Sequence, residues 1–161
     1  MELSDRAGFD GYERTPPSLA ALRLGTLLAQ RLDAVVPRPF RVQADAGWVS
    51  LYEGAAFDSS SDVSGVLDQE VDPDSAAGER GSFAWNVAGV AWNVLSHVQD
   101  GISEGTKDPW PPLSGGRDLA LPATRTDGVR VFMWYGPDSE REDDAVMSFA
   151  PIALDELLAP E

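Results

Sequence analysis

Few residues in this chain are able to carry out covalent chemistry. In 161 residues there is no cysteine, one histidine, His97, and one lysine, Lys107. Thiol catalysis, disulfides and thiolate metal sites are therefore excluded. An imidazole-assisted nucleophile would have to use His97. Its neighbour Ser96 is close in sequence, but successive residues on a helix diverge by about 100° and do not face one another. His97 is expected to be a polar-face residue of a helix. No Gly-x-x-x-x-Gly-Lys-Ser/Thr loop or Gly-x-Gly-x-x-Gly turn occurs. The usual signals for nucleotide chemistry are thus missing, and no cofactor is expected.

Two groups of residues remain. Asp68, Glu70, Asp72, Asp74 and Glu79 stand at relative positions 1, 3, 5, 7 and 12. That is the spacing with which a calcium loop wraps oxygen donors around a hard cation. Pro73 stands where such a loop needs glycine for its sharp turn, and Ser64–Leu67 is too short and glycine-broken to be the entering helix. A solvated acidic loop explains the spacing equally well, so divalent-cation binding is an expectation to test. The second group is the tryptophans, at 48, 85, 92, 110 and 134. Trp85 and Trp92 are one heptad apart, and Trp110 lies in a proline-rich stretch. These three are expected to be partner-binding residues, because aromatics anchor interfaces. Acids near Trp48, Trp110 or Trp134 would instead suit a carboxylate-dependent hydrolase or a carbohydrate binder, with a sugar stacked on an indole.

The charge narrows the partners. Against 27 Asp and Glu stand 12 Lys and Arg, a formal charge of −15. Affinity for nucleic acid grows with the bases that neutralise phosphate, so neither nucleic acid nor an anionic membrane surface is an expected partner. A protein partner, basic in character, is favoured. The acidity also suits simple solubility or adaptation to high salt. It is concentrated in residues 58–80 and 138–161, whereas residues 1–57 are close to neutral. No stretch reads as a signal peptide or a membrane span, and a cytoplasmic location is expected.

The elements that must position these residues follow from periodicity. Residues 1–14 read as a flexible arm, and residues 15–161 as one domain with an acidic loop over 58–82. Thr15 and Pro16 read as the start of a helix over 18–36, with Ala21, Leu24, Leu28, Leu32 and Val35 on one side. Phe40–Ala44 and Trp48–Tyr52 flank a turn and predict a hairpin. Val63–Leu67 is a weak candidate for a third strand. Ser82 is placed to cap a helix over 83–102 whose apolar arc covers roughly 200°, wider than a surface helix needs. Asn86, Asn93, His97 and Asp100 form its polar stripe, with the two tryptophans at the edge of the arc. Leu119–Arg125 and Val129–Tyr135 flank Asp127-Gly128, a strong hairpin signal. Apolar residues on both faces of the second of these strands mark it as central. Ala145–Ala150 reads as a last strand and Leu154–Leu158 as a terminal helix.

The expected fold is α+β, in the order α-ββ(β)-α-βββ-α. It has a mostly antiparallel sheet of five or six strands and two main helices packed on one face. The expected function is that of a non-catalytic acidic protein-binding module, an accessory, chaperone-like or inhibitor-like factor.

Overall fold

A computed structural model describes residues 17–68, 74–76, 79–113 and 118–160. The arm over 1–14 and the cap expected at Thr15 lie outside these residues. The fold is α+β, but the strands form two antiparallel sheets instead of one. Helix α1 (Leu19–Asp33) leads into β1 (Phe40–Asp45), β2 (Trp48–Glu53) and β3 (Ala56–Asp62), which make a three-stranded meander. A single-turn helix, α2 (Ser64–Leu67), precedes the long helix α3 (Phe83–Thr106). Strands β4 (Leu121–Thr126) and β5 (Arg130–Gly136) form the second hairpin. Two short strands, β6 (Met147–Ser148) and β7 (Ile152–Ala153), both pair with β5, and α4 (Leu154–Leu158) follows.

The width of the apolar arc on α3 explains the split. Ala84, Val87, Val90, Ala91, Val94, Leu95, Val98 and Ile102 are all buried. One sheet covers one side of a helix, so an arc this wide needs cover from two directions. The first sheet supplies one cover. A Cβ added at Gly101 would lie 2.4 Å from Leu51 Cδ2 on β2, and one at Gly105 would lie 2.8 Å from Phe40 Cζ on β1. These glycines let the helix backbone settle on the sheet. The second sheet supplies the other cover: Tyr135 on β5 donates its hydroxyl to the Leu95 carbonyl at 2.7 Å. Helix α1 packs beside α3 against β1 and β2.

Four boundaries differ from expectation. Helix α1 is capped by Ser18, whose hydroxyl accepts the Ala21 amide at 3.1 Å, and it ends at Asp33. Helix α3 is capped by Ser82 as expected but continues to Thr106, where Lys107 closes it in the left-handed conformation. The third strand is not Val63–Leu67 but Ala56–Asp62, overlapping the start of the stretch read as an acidic loop. Its sequence, AFDSSSD, has no apolar alternation to betray it, and backbone pairing to β2 defines it. The last expected strand is divided into β6 and β7 around Pro151, which has no amide to give a ladder.

Strand β5 is central and buried on both faces. Val131, Met133 and Tyr135 enter the main core, while Trp134, also fully buried, points the other way. Its indole donates to the Asp138 carbonyl at 3.3 Å, so the acidic segment after β5 folds back over it. That segment comes so close that a Cβ at Gly136 would lie 3.0 Å from the Ala145 Cα. Two arginines on α1 hold the end of the chain. Arg23 donates to the carbonyls of Glu156, Leu157 and Ala159, and Arg31 to those of Ala150 and Pro151.

Candidate functional site

Helix α3 fills the space between two sheet edges, and what it leaves uncovered is a strip with defined borders. At about 100° per residue, Trp85, Gly89, Trp92 and Ser96 fall within one narrow stripe, and toward the C-terminus Asp100 and Glu104 lie about 60° and about 100° round from Trp85, on the side of His97. Trp92 marks one border. Its indole N–H donates to the Pro122 carbonyl of β4 at 3.1 Å. About two turns further on, the buried Gln99 amide donates to the Ala120 carbonyl just before the same strand. Together they satisfy outward carbonyls along β4, an edge strand of the second sheet. His97 marks the opposite border. Its Nδ1 lies 2.6 Å from the Ser61 Oγ on β3, an edge strand of the first sheet.

Between these borders the two tryptophans stand open. Trp85 is 46% exposed and Trp92 43%. The Trp85 amide donates to the capping Ser82 hydroxyl at 3.2 Å, and its indole makes no hydrogen bond with a described residue. Seven residues of helix place the two about 10 Å apart along the axis. A Cβ at Gly89 would meet nothing within 4 Å. The surface there is a notch, floored by bare backbone and flanked by two indoles. Trp110 is not part of it. That ring is half-buried, edge-on to Tyr135 with centroids 5.6 Å apart, and its amide donates to Ser103 Oγ at 3.0 Å. Trp110 therefore packs the second sheet against the C-terminal end of α3 at Ser103, eleven residues along from Trp92.

The Ser61–His97 contact is the one nucleophile–imidazole pair that sequence reasoning did not find. Only the pairing of β3 with β2 brings residue 61 beside residue 97, and a serine in a run of serines gives no signal of it. Ser61 is 3% exposed, and no described carboxylate hydrogen-bonds the imidazole. An enclosed hydroxyl without an orienting acid lacks the geometry of an activated nucleophile. The pair ties the first sheet to α3.

The acidic calcium-like set is only partly within the described residues, because Glu70 and Asp72 lie outside them. Asp68 accepts hydrogen bonds from the Ser18 amide and hydroxyl, and Glu79 accepts the Ala76 amide at 2.8 Å. Among the described residues no three His, Asp or Glu side chains are grouped to hold a metal. Elsewhere, the described residues line two open depressions. One of about 390 Å³ lies between α1 and α4, with Arg23 and Glu156 in its wall. The other, of about 350 Å³, lies between Phe83, Val129, Asp155 and Leu158. Each has a single carboxylate among its described lining residues and no indole, so neither offers the paired acids beside an aromatic platform that glycoside hydrolysis requires.

Among the described residues two titratable groups are clearly displaced, and both serve the scaffold. Asp127 at the hairpin tip accepts the backbone amides of Arg130 and Val129, which lower its pKa to about 2. Burial, followed by the nearby charge of Asp100, pushes the Tyr135 phenol well above its ordinary value. No helix among the described residues is long and apolar enough to cross a membrane. Comparison with protein families, curated proteins and solved structures gives no match, so function has to be argued from the geometry of the chain itself.

Proposed function

We propose that this chain is a non-catalytic protein-binding module whose contact surface is the exposed strip of α3, with Trp85 and Trp92 as its anchors. One observation carries the reading. A helix enclosed between two sheets leaves two large indoles on a single stripe, nearly half exposed, where small polar residues would fill the helix at less cost. Tryptophan is the residue most enriched among interface positions that dominate binding energy. The open notch at Gly89 gives a partner side chain somewhere to enter, and a clustered acidic surface favours a basic partner.

The test is affinity capture of the tagged protein from its native host, run in parallel with a Trp85→Ser, Trp92→Ser double variant. The reading expects a stoichiometric partner with the native chain that the variant loses while retaining its circular dichroism spectrum. Capture of the same proteins by both forms would refute it. Loss of the partner at high salt would assign part of the contact to the acidic segments.

A further inference from the structure

The exposed face of α3 is chemically uneven along its length, and that unevenness specifies what would sit on it. Between Phe83 and Thr106 the helix carries no lysine or arginine. Its N-terminal half presents Trp85, Gly89 and Trp92 and no charge. Asp100 and Glu104, both exposed, follow about 12 and 18 Å beyond Trp92. Asp58 on β3 joins them, its Oδ1 lying 3.1 Å from where a Cβ of Gly101 would be. The C-terminal end of the helix adds its own negative partial charge, and the cation nearest to it in the sequence is Lys107 at the cap. The arginines of the second sheet do not contribute. Arg125 and Arg130 flank the Phe132 ring, at 4.1 and 5.2 Å from its centroid, and pair with Glu142 and Asp127.

We infer that the occupant of this strip is a cationic amphipathic segment of a partner protein, docked in one direction. An apolar side chain enters the notch over Gly89 between the two indoles, and lysines or arginines lie 12–18 Å along, against Asp58, Asp100 and Glu104. The indole faces also favour a cation that approaches them. This inference rests on the protein-binding reading above and adds the chemistry and polarity of the partner.

Three synthetic 14-residue peptides with the same leucine spacing test it, carrying lysine, glutamine or glutamate at the polar positions. Tryptophan emission and fluorescence anisotropy would read their binding. The lysine peptide is expected to bind about tenfold or more tightly than the glutamine peptide, and the glutamate peptide not at all, since tenfold corresponds to the loss of one good contact. Trp85→Ala should weaken the lysine peptide about tenfold. Gly89→Gln should do the same by filling the notch with a good helix former that leaves the charge unchanged. Asp100→Asn with Glu104→Gln should weaken it, whereas Asp143→Asn with Asp144→Asn, on the acidic segment after β5, should not. Equal binding of lysine and glutamine peptides, with loss on Trp85→Ala, would overturn the charge assignment and leave the protein-binding reading standing. Binding of the lysine peptide that ignores Trp85 and Gly89 would overturn both. Failure of all three peptides to bind would overturn the inference, with the capture experiment still deciding the broader reading.

Discussion

Two glycines in one helix are expected to respond to the same substitution with opposite sign. Glycine in a helix interior costs roughly 0.5–1 kcal/mol relative to alanine. At Gly89 an added Cβ meets nothing within 4 Å, so Gly89→Ala should stabilise by that amount. At Gly101 the same gain is opposed by contact. The Cβ would lie 2.4 Å from Leu51 Cδ2 and 3.1 Å from Asp58 Oδ1, against a carbon–carbon optimum of about 3.5–4.0 Å. Leu51 is 1% exposed and cannot swing away without displacing its neighbours. Overpacking of this kind costs about 1–3 kcal/mol, so Gly101→Ala should destabilise by roughly 1 kcal/mol net. The two variants should then differ by about 2 kcal/mol, or about 4–8 °C in Tm for a domain of this size. Urea denaturation and calorimetry on both proteins would measure it. Trimming the obstacle with Leu51→Val should return part of the Gly101→Ala loss, so the double variant should be non-additive. If Gly101→Ala stabilises as much as Gly89→Ala, α3 does not lie on the first sheet as described.

Three further outcomes follow from the scaffold. Asp127 is held ionised by backbone amides, so the folded chain binds its proton less tightly than the unfolded chain, where it titrates near 3.8. Its stabilisation is present above pH 4 and is lost as the pH falls through about 2; subtracting the stability curve of Asp127→Asn from that of the native chain should isolate a difference confined to this window, and a flat difference would contradict the hairpin-tip geometry. Arg23→Ala should remove the three carbonyl contacts that hold the end of α4, costing about 1–3 kcal/mol and raising amide exchange in residues 154–158 first; unchanged exchange there would refute the anchoring role. Calcium at millimolar concentration should leave Tm unchanged, because Asp68 is engaged by Ser18. A rise of several degrees would instead establish a site through mass action.

The sequence revealed most where side-chain pattern and fold agree. The apolar spacing from Ala21 to Leu32, the serine before Phe83 and the Asp127-Gly128 turn located α1, α3 and the second hairpin to within a few residues. Strand β3 was hidden because its seven residues include one large apolar side chain, Phe57, which lies 60% exposed, and because its pairing depends on backbone groups that every residue shares. The division into two sheets was implicit in the width of the α3 arc, since an arc near 200° cannot be covered from one side. Of the candidate binding residues, the heptad spacing of Trp85 and Trp92 did indicate a common stripe. No local feature distinguished Trp110, whose contact with Tyr135 joins residues far apart in the chain. The Ser61–His97 pair was invisible for the same reason.

The measurement that bears most directly on the role of α3 is photo-crosslinking in living cells from position 96. Ser96 lies on the stripe one turn beyond Trp92 and before Asp100, and a benzoyl-phenylalanine there leaves the surface at Gly89 open. A control probe would replace Glu140, which is exposed in the acidic segment after β5. The account predicts one dominant protein adduct from position 96 that is absent from position 140 and is lost when Trp85 and Trp92 are both changed to serine. No adduct from position 96, or the same adducts from both positions, would contradict it.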